Sequence, residues 1–390
     1  MYKLSEDTFD RREKNAVSKL IQSNSKLSYD KNVRKLEIKI ANYHKRKYCI
    51  MVNSGSSANL LGVSSILYDD KFDLNKGDEI IVPALSWSTT YTPLIQLGLK
   101  LVFVDVIRDT FNLNPELVEK AISKKTKAIF CVNILGFCCD YKSLKRISKK
   151  YNLPLFEDNC ESLGAKYNKK SSGTFGIFSS LSSFYSHHIC TIEGGFLLTD
   201  NFRIYCNSLA LRSHGWIREQ PTNSHLKSSK FSKFEENFKF YLPGYNLRPT
   251  EINAVIGIEQ IKKINKFILS RKKNAKLIYE IFSVCKNVQL QKFNKDASFF
   301  GFSFLLKGKL LNKRQEVVKF MEKNKIEGRP IVSGNILNNP MLEFASYRKF
   351  GTFENVKYID KNGFMIGNRS RDLKIKEINF LKKLRDFLDK

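Results

Sequence analysis

Histidine is scarce in this chain, 5 residues in 390, beside 2 tryptophans, 5 methionines and 9 prolines. Where two residues of so rare a type fall together, the coincidence carries weight. Acidic residues are also few, 38 against 67 lysines and arginines, for a formal net charge of +29. That excess invites a nucleic-acid partner, but the basic residues are scattered, mostly lysine, and form no block or recognition motif. No nucleic acid is therefore expected as the main partner, although a positive field would help to attract an anionic small molecule. No apolar run reaches the ~18 residues that a membrane span requires. No basic region followed by an apolar stretch marks a secretory signal. The eight cysteines (49, 131, 138, 139, 160, 190, 206 and 285) include no C-x-x-C pair. That spacing suits neither a zinc site nor a disulfide framework. The expectation is a cytoplasmic protein with reduced thiols, no metal and no membrane partner.

Apolar material, by contrast, is ample. A hydrophobic share of 42%, with 30 Phe and 16 Tyr, excludes a disordered chain, and the length favours one large and one smaller domain. Short apolar runs alternate with helical patterns from about residue 45 to 200. The runs are Tyr48–Val52, Glu79–Pro83, Leu101–Val106, Ala128–Val132, Leu153–Glu157, Phe178–Phe184 and Phe196–Thr199. Most lack strict alternation, as strands buried on both faces do, so the rhythm predicts an α/β fold with a mainly parallel sheet. Its ligand should lie beyond the carboxyl ends of the strands. After Pro243–Pro249 the rhythm changes, and Ile252, Val255, Ile256, Gln260, Ile261, Ile264 and Phe267 trace a long amphipathic helix. A strand over Phe299–Leu306 and helices near Arg314–Asn324 and Ile375–Leu388 follow. The expected division is 1–251, a large ligand-binding domain, and 252–390, a smaller α+β domain.

Three segments carry chemistry. Asn53-Ser54-Gly55-Ser56-Ser57-Ala58-Asn59 follows a strand and opens a helix, so its free N–H groups and hydroxyls suit a phosphate, or simply cap the helix. Leu155-Phe156-Glu157-Asp158-Asn159-Cys160-Glu161 ends an apolar strand in acids, where Asp158 could pair with a protonated ring nitrogen or serve as an N-cap. Third, His187 and His188 stand side by side on a polar loop that runs into Glu193-Gly194-Gly195 and another strand. Imidazole changes charge near neutral pH, which suits proton transfer.

The order S-G-S-S-A-N-L, E-D-N-C-E-S, S-S-F-Y-S-H-H…E-G-G and G-Y-N-L-R-P resembles the sugar aminotransferase family of fold type I pyridoxal-phosphate enzymes, from about residue 30 to the C-terminus. In that family a lysine before the E-G-G turn holds the coenzyme as a Schiff base. The register puts His187 at the lysine position, and no lysine lies between Lys170 and Lys227. Within the family, that substitution marks 3-dehydratases. The resemblance thus implies pyridoxal 5'-phosphate held without a covalent bond, its conversion by L-glutamate to the pyridoxamine form, and loss of a C3 hydroxyl with release of ammonia.

By the same resemblance, His187 is the catalytic base, with His188 its nearest rival. Gly55, Ser56 and Ser182 hold the phosphate, Trp87 stacks on the ring, Asp158 meets the ring nitrogen, and Glu161 lies near the ring hydroxyl. Asn246 reaches the phosphate from the second subunit of a homodimer. His188, His214 and Arg248 contact substrate, although Arg248 could equally make a structural ion pair. Trp216–Pro221 lacks the cysteines of iron–sulfur-linked CDP-sugar relatives. A GDP-linked 4-keto-6-deoxysugar is therefore the implied substrate, in deoxysugar (colitose) synthesis for O-antigen. The alternative activity is that of a nucleotide-sugar aminotransferase.

Overall fold

The structure is a computed structural model and describes residues 1–227 and 231–390. In chain order its helices are α1 (Arg11–Gln22), α2 (Lys31–His44), α3 (Gly55–Leu67), α4 (Ser88–Gln96), α5 (Pro115–Ala121), α6 (Tyr141–Tyr151), α7 (Phe202–Arg212), the single turn α8 (Lys233–Glu236), α9 (Glu251–Phe282), α10 (Arg314–Lys323), α11 (Glu354–Asn362) and α12 (Ile375–Leu388). The main strands are β1 (Tyr48–Val52), β2 (Glu79–Pro83), β3 (Lys100–Val104), β4 (Thr126–Val132) and β5 (Leu155–Asp158). A small hairpin, β6 (Lys166–Tyr167) and β7 (Lys170–Ser171), is followed by β8 (Phe178–Ser182) and β9 (Gly195–Thr199). The remaining strands are β10 (Val288–Leu290), β11 (Gly301–Leu306), β12 (Tyr347–Phe350) and β13 (Gly363–Gly367).

One sheet of eight strands has the order β1-β9-β8-β5-β4-β2-β3-β12. Only β9 runs antiparallel to its neighbours; the pairings from β8 to β12 are parallel. Strands β2, β5 and β8 are buried along their whole length, which explains their unbroken apolar runs. The expected strands fall within two residues of those observed at most ends. A difference that matters is at β5, which extends to Asp158 and so delivers that carboxylate from a rigid strand end.

The long helix α9 continues to Phe282, fifteen residues beyond the apolar stripe legible in sequence. The stretch after Phe267 carries buried polar residues, Arg271 and Asn274, whose side chains bond carbonyls of the 299–300 and 369–371 segments. Near its start, buried Glu251 accepts the N–H groups of Asp30, Asn32 and Val33 and so caps α2 from outside. A three-stranded antiparallel sheet, β10-β11-β13, lies beyond α9, and β12 crosses back to the edge of the large sheet, where Arg348 pairs with Glu79 of β2. All eight cysteines are free thiols. Among the described residues, no helix is long and apolar enough to cross a membrane.

Candidate active site

The carboxyl ends of β4, β5 and β8 converge on a cavity of about 300 Å³. Ser54, Gly55, Ser56, Trp87, Asp158, Glu161, Ser182, His187 and Arg329 are among its lining residues. At one end α3 begins. Ser54 caps it by accepting the Ser57 N–H (3.0 Å), which leaves the earliest N–H groups of the turn free for an anion. Glycine is required at 55: a Cβ there would lie 2.7 Å from Ser182 Cβ and 2.9 Å from Cys160 Sγ. Gly195, which starts β9, meets the same turn; its Cβ would sit 2.3 Å from the Ser54 carbonyl. Two glycines thus bring the turn and two strands together at the spot expected to hold phosphate.

Asp158 is nearly fully buried and receives four donors. Asn59 Nδ2 (2.9 Å) and Thr90 Oγ1 (2.8 Å) approach Oδ2, while the Cys160 N–H (3.1 Å) and Ser180 Oγ (3.4 Å) approach Oδ1. Thr90 in turn faces Ser86 Oγ at 2.7 Å. Such a shell fixes the carboxylate in position. Trp87, the N-cap residue of α4, presents a half-exposed indole to the cavity, with the Arg329 guanidinium 5.6 Å from its ring centre. Glu161 accepts the Leu135 N–H (2.9 Å) and lies 3.7 Å from Arg329; burial pushes its carboxyl up from the ordinary range.

His187 lies between Phe184 and Phe300, with ring centroids 6.1 and 5.2 Å away. Burial, then the positive charges of Arg329 and Arg271, push its imidazole down to about 3. It is therefore neutral, and its Nδ1 is buried with no partner. The loop that carries it holds Ile192 at φ 71°, a left-handed conformation costly for a β-branched residue. Among the described residues, none of those lining the cavity is a lysine.

The expected substrate contact of His188 needs correcting. Its side chain turns away from the cavity, is fully buried, and sets Nε2 against the Ser298 carbonyl at 3.3 Å. His187 lines the cavity and His188 does not, although both rings pack against Phe300, with centroids 5.2 and 5.9 Å away. His214, Asn246 and Arg248 come together elsewhere: Arg248 Nε donates to Asn246 Oδ1 (3.0 Å), and its Nη2 lies 3.1 Å from His214 Nε2. None of the three lines this chain's own cavity. The strip bearing them is tied to the phosphate turn, with the Asn53 N–H donating to the Leu247 carbonyl. Sequence reasoning missed Asn59, Thr90, Ser180, Phe300 and Arg329. Arg329, in Gly328-Arg329-Pro330, lies far along the chain from every motif, and nothing in its neighbours marks it.

The arrangement suits a planar, phosphorylated ligand with a cationic ring nitrogen: the tight turn for phosphate, Trp87 for the ring face and Asp158 for the nitrogen. An imidazole, His187, lines the same cavity. A sequence model of the DegT/DnrJ/EryC1/StrS aminotransferase family matches residues 7–369. The chain belongs to this family. Similar relatives in the DegT/DnrJ/EryC1/StrS group include the GDP-4-keto-6-deoxy-D-mannose 3-dehydratase of Yersinia pseudotuberculosis, 43% identical over 98% of both chains. An enzyme of the same name from Escherichia coli O55:H7 is 42% identical over 98% of this chain and 99% of its own. A solved structure of the E. coli dehydratase with bound hydrated PLP matches with a TM-score of 0.94 at 41% identity, covering 98% of this chain and 99% of that one. Another solved GDP-4-keto-6-deoxymannose-3-dehydratase, with a trapped PLP-glutamate geminal diamine, matches at 0.94 and 40% identity over the whole of both chains.

Proposed function

We propose that this chain is a coenzyme-B6-dependent lyase that removes the C3 hydroxyl of GDP-4-keto-6-deoxy-D-mannose, giving GDP-4-keto-3,6-dideoxymannose. Its coenzyme is pyridoxal 5'-phosphate, alternating with the pyridoxamine form, and L-glutamate is the amino donor. The observation that carries the reading is His187: a neutral imidazole at the base position of a cavity otherwise suited to this coenzyme. When bound, the coenzyme would supply an amine for the sugar ketone and a ring able to hold the electrons left by proton removal until they expel the C3 hydroxyl.

The chain's own groups do the rest. Gly55, Ser56 and Ser182 hold the phosphate through the α3 turn. Asp158, kept in place by its four donors, holds the ring nitrogen, and Trp87 covers a ring face. Glu161 lies at the ring hydroxyl, beside Arg329. His187 would take and return a proton through its imidazole, which lines the cavity. An imidazole cannot hold the coenzyme as a stable imine, so the ring would stay by contacts alone; the ammonia would come from hydrolysis by water of the released product once the C3 hydroxyl has gone.

The working unit is a homodimer in the cytoplasm, serving colitose synthesis for O-antigen. Support for the dimer comes from Asn246, which is exposed and does not line its own cavity, with Arg248 and His214 beside it; we assign these three to the partner subunit's site. In the proposed division, residues 1–251 bind the coenzyme and 252–390 bring Phe300 and Arg329 to the cavity.

The test is incubation with pyridoxal phosphate, L-glutamate and GDP-4-keto-6-deoxymannose, followed by ammonia assay and mass spectrometry of the sugar. Ammonia and a sugar that has lost its C3 oxygen are expected. A stable 4-aminosugar would overturn the reading in favour of a nucleotide-sugar aminotransferase.

A further inference from the structure

A second cavity, of about 460 Å³, adjoins the first and shares Ser186, Phe300 and Arg329 with it. Its outer wall is the N-terminal segment Leu4–Phe9, and Phe267, Phe300 and Met365 give it an apolar floor. Four ionisable residues line this cavity without lining the first: Glu6, Asp7, Arg271 and Arg371. Glu6 is engaged by Arg371 (2.5 Å), which also pairs with Glu377 (2.7 Å). Asp7 accepts the Phe9 N–H through Oδ1.

Arg271 differs from its neighbours. It is 4% exposed, yet makes no ion pair among the described residues. Its partners are all neutral: the Phe299 and Phe300 carbonyls (3.2 and 3.1 Å) and Ser370 Oγ (3.3 Å). Burial, with the nearby Arg369 charge, pushes it down to about 10. A buried guanidinium without a counter-ion is costly to the fold, and a ligand that supplies the anion removes that cost.

We propose that this second cavity is a carboxylate subsite, in which Arg271 binds the side-chain carboxylate of the amino donor while the donor's amine reacts in the first cavity. Arg329 borders both cavities and takes the carboxylate next to the reacting carbon. Arg271 borders only the second and takes the distant one, and the apolar floor receives the methylenes between them. The assignment rests on L-glutamate being the donor, as in the function proposed above.

The test compares L-glutamate with L-glutamine, its neutral amide, as donors in single-turnover amination of the bound coenzyme, followed by loss of the aldehyde absorbance. Arg271→Gln should lower the glutamate-to-glutamine ratio of kcat/KM by at least about tenfold, and Arg271→Lys should restore part of it. If Arg271 merely supports the backbone, both donors suffer alike and the ratio stays within about threefold of wild type, which overturns the subsite. A raised KM for the GDP-sugar with an unchanged donor ratio also overturns it, placing the diphosphate there instead. The wild type gives a check that needs no variant: glutarate should compete with L-glutamate at concentrations at least about tenfold lower than butyrate does, and equal potency would count against the proposal. If neither donor aminates the wild type, the donor reading fails and the subsite with it; an aminated wild type with an unmoved ratio sinks the subsite alone.

Discussion

Thr90→Val tests how the coenzyme is retained in a site without a lysine tether. The substitution keeps the side-chain shape and deletes one hydroxyl. That hydroxyl donates to Asp158 Oδ2 at 2.8 Å, and Ser86 Oγ lies 2.7 Å behind it. Thr90 is fully buried, so water cannot replace the lost donor without rearrangement. A hydrogen bond to a charged group contributes about 1.5–3 kcal/mol. If that sum is lost from the carboxylate's grip on the ring nitrogen, at about 1.4 kcal/mol per decade, coenzyme affinity falls about tenfold to a hundredfold. Asn59 shares Oδ2 at 2.9 Å and will take up part of the load, so the lower end is expected. The assay is titration of the apoprotein with pyridoxal phosphate by absorbance, with Thr90→Ser as the control that keeps the donor. A dissociation constant within about threefold of wild type, in a folded protein, would refute the idea that this donor shell secures the ring.

Other outcomes follow from the same contacts. Gly55→Ala puts a methyl against Ser182 Cβ and Cys160 Sγ; displacement of the turn should cost about 1–3 kcal/mol of stability and weaken phosphate binding, read by urea melts and by competition with inorganic phosphate. His187→Lys should let the coenzyme attach covalently, trappable by borohydride, whereas the wild type should trap none. The Arg348 guanidinium beside Glu79 holds its carboxyl down at about 2, below the ordinary 4.5. A folded value below the unfolded one adds stability above pH 4.5 that is lost as pH falls toward 2, so Glu79→Gln should flatten the acid limb of the stability curve in that window. Glu37→Ala removes the 2.7 Å partner of the buried Arg212 guanidinium, which keeps Glu219 at 3.2 Å, and should destabilise the fold by about 1–3 kcal/mol in denaturant melts.

Much of the site was legible because its parts sit at strand ends and turns, where local sequence dictates local structure. The apolar run ending in Glu157-Asp158 and the small-residue turn before α3 each announce a position near one end of the sheet. The His pair was legible only as a pair. Which ring faces the cavity depends on the loop's course between β8 and β9, and that course is settled by the Ser183–Thr191 contacts and by Gly194, not by residue type. Arg329 and Phe300 were invisible because their roles arise from packing of the C-terminal part onto the strand ends. The continuation of α9 was missed for a related reason: Arg271 and Asn274 break the apolar stripe, yet they are buried and satisfied by carbonyls from distant segments.

The histidine and the arginines also bear on each other. His187 is a weak base chiefly because it is buried, and next because Arg329 and Arg271 present positive charge to it. A carboxylate held by either guanidinium offsets part of that charge, and the imidazole's affinity for a proton then rises toward its ordinary value. Proton transfer in the proposed reaction is thus coupled to occupancy by an anionic substrate. Water reaching the cavity without a carboxylate or phosphate group meets an imidazole that binds protons poorly. A lysine at this position would instead be engaged with the coenzyme and would need no such coupling. Replacing the tether with a ring changes what anchors the coenzyme, and it also makes the base answerable to the charges around it.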